Sequence, residues 1–146
     1  MNRFNVVILS IIFQLGASGA VNAQQSSPTA CYMELHKKEL AATSYTDLYQ
    51  VRSQTSIAHD KPMSKEELNF IFPLFKASLP KEVIVTSEQV NGTSAILKAI
   101  AKPRDTAKQN PRYKVSESTT GEIELTLENG QWKIEHEKWD SKIVMR

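Results

Sequence analysis

The sequence predicts an α+β fold in which N-terminal helices pack on a mainly antiparallel sheet. Two observations carry this. Between residues 30 and 79 the apolar residues recur at helical spacing, and from Lys81 onward they alternate with period two. The second half also contains Asn91-Gly92 and Asn129-Gly130, each flanked by strand-forming runs, which is a strong short-range hairpin signal.

Residues 1–23 stand apart from this pattern. Arg3 supplies a positive start, Val6 to Leu15 is an apolar run, and Val21 and Ala23 sit at the −3 and −1 positions of a signal-peptidase site. Cleavage is expected after Ala23, which makes the protein exported, periplasmic or secreted. The run is too short to span a bilayer, so no integral membrane span is expected. Residues 24–29, "QQSSPT", read as a flexible lead, and 30–146 as a single domain with length enough for one core.

Formal net charge is +2, and removal of Arg3 with the leader takes it to +1. Such a balance excludes a nucleic-acid or anionic-membrane partner held by charge. Cys31 is the single cysteine, so no internal disulfide can form in an oxidising compartment. A lipobox reading of Cys31 fails because Pro28 stands where leucine is required. The residue reads as a small hydrophobe on a helix.

The first helix is expected over Ala30 to Thr43, with Cys31, Tyr32 and Leu35 on one face and His36, Lys37, Lys38 and Glu39 mostly opposite. Ser44 with Asp47 starts a second, whose stripe is Tyr45, Leu48, Tyr49 and Arg52. Gln54 to Pro62 reads as a loop. A third helix follows, capped by Ser64 with Glu67, its buried face Leu68, Ile71, Phe72, Phe75 and Leu79. Phe70 and Leu74 make a second side apolar, which predicts burial on both sides, a lid or a homodimer face being the alternatives. Pro73 removes one helix hydrogen bond and predicts a kink or break.

In the first hairpin, pairing through Asn91-Gly92 sets Val83 opposite Ile100 and Val85 opposite Lys98, with both faces partly apolar and expected to be covered. Lys102 to Tyr113 is a polar loop. The last hairpin pairs Leu127 with Trp132, Leu125 with Ile134 and Ile123 with His136 on an apolar face, and sends Glu122, Glu124, Glu135 and Glu137 to the other, with Trp139 on the side away from Trp132.

Two N-terminal helices, a third ending "FKASLP", a hairpin, a polar loop and a final "GEIELTLENGQWKIEHEKW" together resemble the nuclear transport factor 2-like, cystatin-like cone superfamily, and within it small secreted bacterial domains. The resemblance implies a curved sheet wrapped on the helices around a pocket. It also implies a role among binding domains, isomerases, dehydratases and hydrolases, a choice that fold does not make.

The candidate ligand-binding residues are His136, from the apolar face, with Tyr45, Tyr49 and Lys98 as wall or rim groups. His59-Asp60 is the adjacent acid–base pair, and it reads as solvated loop. There is no metal-ligand spacing, glycine-rich phosphate loop or nucleophile elbow along the chain, so no cofactor is expected. The reading is an exported non-catalytic domain binding a small apolar ligand or an envelope protein partner. An isomerase or dehydratase and a partner-neutralising, immunity-like protein are the alternatives.

Overall fold

The computed structural model describes residues 26–103 and 115–145. The leader, with its expected cleavage site, and most of the polar loop lie outside the described residues. The chain is α+β: helices pack on one face of a curved four-stranded antiparallel sheet, in the order β1-β2-β3-β4.

Helix α1 spans Pro28–Ala41, two residues earlier than expected, because Ser27 caps it and Pro28 opens its first turn. Its buried face is Tyr32, Leu35, His36 and Glu39, at ideal helical spacing. His36 and Glu39 therefore point inward, a correction to the outward face expected for them. A reading that sought apolar residues could not include two charged members of an otherwise regular stripe.

Tyr45–Gln50 forms a 3₁₀ helix with Ser44 and Asp47 as its capping box. Asp47 Oδ2 accepts from the Thr43 and Ser44 amides and the Thr43 hydroxyl, each at 2.9 Å. The segment expected to be a loop is instead α2, Gln54–Asp60. Ser53 accepts from the Ser56 amide at 2.9 Å, and Glu128 accepts from the Gln54 amide at 2.9 Å. These caps start a helix that buries no residue fully and so has no apolar stripe to betray it.

Helix α3, Lys65–Ser78, carries the predicted capping box and runs through Pro73 without interruption. Leu68 is buried, and Ile71, Phe72 and Phe75 are half-buried. Phe70 and Leu74 remain 74% and 62% exposed. The helix is thus covered on one side only, contrary to the doubly buried expectation.

The strands are β1 (Val83–Asn91), β2 (Ser94–Ala101), β3 (Val115–Glu128) and β4 (Gln131–Met145). Asn91 pairs with Ser94, so the first turn is Gly92-Thr93 rather than Asn91-Gly92. Only Gly92 of that turn has positive φ (59°), the requirement of a type II′ turn. Thr86 is an extra residue between the Val85↔Ala99 and Ser87↔Lys98 pairs, and its hydroxyl donates to the Lys98 carbonyl at 3.1 Å. At the second turn Asn129 and Gly130 both have positive φ, as a type I′ turn demands.

The inner face of the sheet carries Leu97, Ala99, Ile123, Leu125, Trp132 and Ile134, packed on Tyr32, Leu35 and Val51. The outer face is open: Ile84, Ile96 and Ile100 are each more than a third exposed, beside Lys98, Glu122 and Glu124. The expected cover on both faces of the first hairpin is absent among the described residues. One further link ties the layers, since the segment after the 3₁₀ helix pairs with the edge of β4 through Ser53 N to Ile134 O and Ile134 N to Val51 O, both 2.9 Å.

Candidate functional site

A single extra residue in β4 decides which side chains enter the interior. Leu127↔Trp132 and Leu125↔Ile134 pair as expected, but Glu124 then faces His136 and Ile123 faces Glu137. Glu135 has no partner and is a β-bulge, which exchanges the two faces of the strand beyond it. His136 is therefore exposed on the outer face, a correction to its expected inward position. Glu137, assigned outward by simple alternation, points inward with its side chain 4% exposed. Trp139 also turns inward and packs on the core across from Gly121.

Glu137 meets a polar cluster built by α1 and the segment before α2. Tyr32 donates its hydroxyl to Glu137 Oε1 at 2.7 Å. Arg52 donates to Glu39 Oε1 at 2.9 Å and stands 3.8 Å from Glu137 Oε2. His36 Nε2 lies 2.9 Å from the Pro80 carbonyl oxygen, and its Nδ1 lies 3.8 Å from Glu39 Oε2. Glu39 is fully buried and His36 nearly so. The Phe75 ring of α3 covers Arg52, with Cζ 5.2 Å from the ring centre. His36 Nδ1, Glu39 Oε2 and Glu137 Oε2 have no hydrogen-bond partner.

Burial, then the Glu39 carboxylate, pushes Glu137 up to about 8, against the opposing pull of Tyr32 and Arg52. Burial and the neighbouring Glu137 charge hold the Tyr32 phenol far above its ordinary value. For His36 burial favours the neutral ring, but the Glu39 side chain, the Pro80 carbonyl and Glu137 outweigh it and raise the value. The cluster is a place where protons are held tightly.

The four residues singled out from the sequence do not come together as one site. Tyr45 and Tyr49 stack edge to face on the 3₁₀ helix, with centroids 6.1 Å apart. Burial and Asp60 push Tyr45 up to about 12. Lys98 lies on the outer face, paired with Glu122 at 3.8 Å, and His136 stands opposite Glu124 on that same face. His59 is exposed at the end of α2. The signal for the cluster was present as the 32, 35, 36, 39 spacing of α1. No local signal marked the bulge that adds Glu137.

Two cavities flank these elements. One, about 460 Å³, is a shallow apolar hollow on α3 beside Met63, Phe70 and Ile71. The other, about 690 Å³, lies between the end of α3 and one end of the sheet, with Leu79, Pro80 and Ala101 among its apolar walls and Lys81, Glu82, Lys102, Glu117, Thr119 and Ser141 among its polar ones. Neither is lined by Tyr32, His36, Glu39, Arg52 or Glu137.

No family model and no curated protein matches the chain. Among solved structures it is similar to a de novo designed protein with a curved β-sheet, at 15% identity over 77% of this chain and 95% of that one, with a TM-score of 0.44. It is also similar to an NTF2-like protein of unknown function from Shewanella baltica OS155, at 11% identity over 80% and 98% of the two chains, with a TM-score of 0.46. At these values neither likeness carries function across. Among the described residues, no helix is long and apolar enough to cross a membrane.

Proposed function

We propose that the protein is an exported, non-catalytic binding domain that holds a small ligand between the end of α3 and the sheet. The 690 Å³ cavity there carries this reading. Its volume falls within the roughly 300–1,000 Å³ of small-molecule sites, and its mixed walls, apolar at Leu79, Pro80 and Ala101 and polar at Lys81, Glu82, Lys102, Glu117, Thr119 and Ser141, suit a small ligand that carries polar groups. Export is supported by the order of charge, apolar run and small-residue exit in residues 1–23. The isomerase or dehydratase reading is disfavoured because the inward acid and base groups, His36, Glu39 and Glu137, line neither cavity, and proton transfer needs hydrogen-bond reach of a substrate.

A second reading, a protein partner, is favoured by one observation: Phe70 and Leu74 on α3 and Met63 just before it are exposed apolar side chains. Native mass spectrometry of the protein from its own host separates the two. A retained small molecule that is lost in Thr119→Trp, which fills the cavity, supports the ligand reading. An empty wild-type protein that is released from a partner by Phe70→Ser refutes it in favour of the second.

A further inference from the structure

We propose that His36, Glu39 and Glu137 form a binding site for a divalent transition-metal ion of the zinc class. One ligand atom from each lies within 4.8 Å of the others, drawn from two residues one turn apart on α1 and one on β4. Each of these residues also has a buried atom that lacks a hydrogen-bond partner: His36 Nδ1, Glu39 Oε2 and Glu137 Oε2. Buried polar atoms are almost always satisfied, so three converging orphans require an explanation.

The histidine makes the case more specific. Its Nε2 faces the Pro80 carbonyl, which can only accept, so Nε2 carries the hydrogen. In the neutral ring Nδ1 then presents a lone pair toward the lone pairs of Glu39 Oε2, at 3.8 Å. A proton on Nδ1 would relieve the repulsion without making a hydrogen bond, because 3.8 Å is too long for one. A cation about 2.0–2.2 Å from each donor joins atoms of this separation. A carboxylate oxygen standing at the 4.8 Å limit would swing inward to complete the site.

The remaining atoms of the three ligands are tied in the manner of outer-shell support. His36 Nε2 donates to Pro80 O, Glu39 Oε1 accepts from Arg52, and Glu137 Oε1 accepts from Tyr32. Each side chain thus has one atom held by a hydrogen bond and one without, the second oxygen of Glu137 standing 3.8 Å from Arg52. One imidazole nitrogen and two carboxylate oxygens match Zn(II) or Mn(II) chemistry, and the burial requires no thiolate. The site lies apart from the cavity, so this inference does not rest on a ligand there.

The test uses chelator-treated protein with Cys31→Ser, titrated with Zn(II) by calorimetry and with Co(II) by visible absorption. Wild-type ligands should bind one equivalent and raise the thermal midpoint. His36→Gln, whose amide can still donate to Pro80 O, should abolish binding while the protein stays folded. Tyr32→Phe keeps every donor and should weaken binding about 10- to 100-fold. If His36→Gln fails to fold, Glu137→Gln, which can still accept from Tyr32, replaces it. Absence of binding at millimolar metal overturns the proposal. So does binding that survives in the folded His36→Gln or Glu137→Gln variant, which would place the metal on surface groups.

Discussion

Trp139 lies across Gly121 on the inner face of the sheet, so close that a Cβ at Gly121 would stand 2.6 Å from Trp139 Cε3. The strand pair can bring the indole down only where its neighbour has no side chain. Gly121→Ala should therefore destabilise the protein by about 1–3 kcal/mol through overpacking, read as a lower midpoint in urea with an altered near-ultraviolet signal from tryptophan. An unchanged midpoint would mean that Trp139 packs elsewhere.

Trp132 is buried opposite Leu127, where the hairpin register and the expected register agree. Trp132→Ala should cost about 3–5 kcal/mol. Chemical denaturation of that variant measures the loss directly, and a fall under about 1 kcal/mol would contradict the packing described.

Glu137 and His36 both hold folded values above their unfolded ones. The sign follows: each binds its proton more tightly in the folded protein, so its stabilising effect is present at low pH and is lost as pH rises through the folded value. The thermal midpoint of metal-free protein should fall as pH is raised from about 5 to about 9, and Glu137→Gln should flatten that slope. Asp47 and Glu67, lowered by their capping hydrogen bonds, act in the opposite sense, but only in the more acid range of ordinary carboxylates. A midpoint that climbs steadily to pH 9 would show the cluster to be solvated.

Lys76 donates to the carbonyls of Glu39, Leu40 and Ala42, closing the C-terminal end of α1 from α3. Lys76→Met keeps the apolar stem and removes these charge-assisted bonds. A loss of about 1–3 kcal/mol is expected, with amide exchange accelerated in the last turn of α1 relative to β3.

His136→Ala should leave stability within about 0.5 kcal/mol of the parent, because the side chain stands on the open face opposite Glu124. His36→Ala should cost several-fold more. The reverse order, measured by thermal unfolding, would restore the unbulged register.

The legible part of the fold was that written in local chemistry. The Ser44/Asp47 and Ser64/Glu67 caps, the Asn129-Gly130 turn and the change of period all name their own structure. What escaped depends on events that leave no local mark. Glu135 resembles its neighbours, and nothing in "KIEHEKW" says that alternation stops there. In α1 the spacing was regular, but charge at His36 and Glu39 disguised an inward face whose partners, Arg52 and Glu137, come from elsewhere in the chain. Helix α2 escaped because a short helix with no buried face has only its caps to announce it.

The bulge at Glu135 also separates two kinds of genetic change. Point substitutions along β4 alter one side chain at a time and leave the parity of the strand intact. Deletion of the Glu135 codon would remove the unpaired residue itself, so that Ile134, His136 and Glu137 alternate inward, outward and inward against Leu125, Glu124 and Ile123, and Tyr32 keeps its acceptor. A one-residue gap between Ile134 and His136 in a descendant sequence would therefore mark a strand that has lost its bulge and kept its polar interior, whereas a Glu135 drawn into the ladder would turn Glu137 out without any change of sequence.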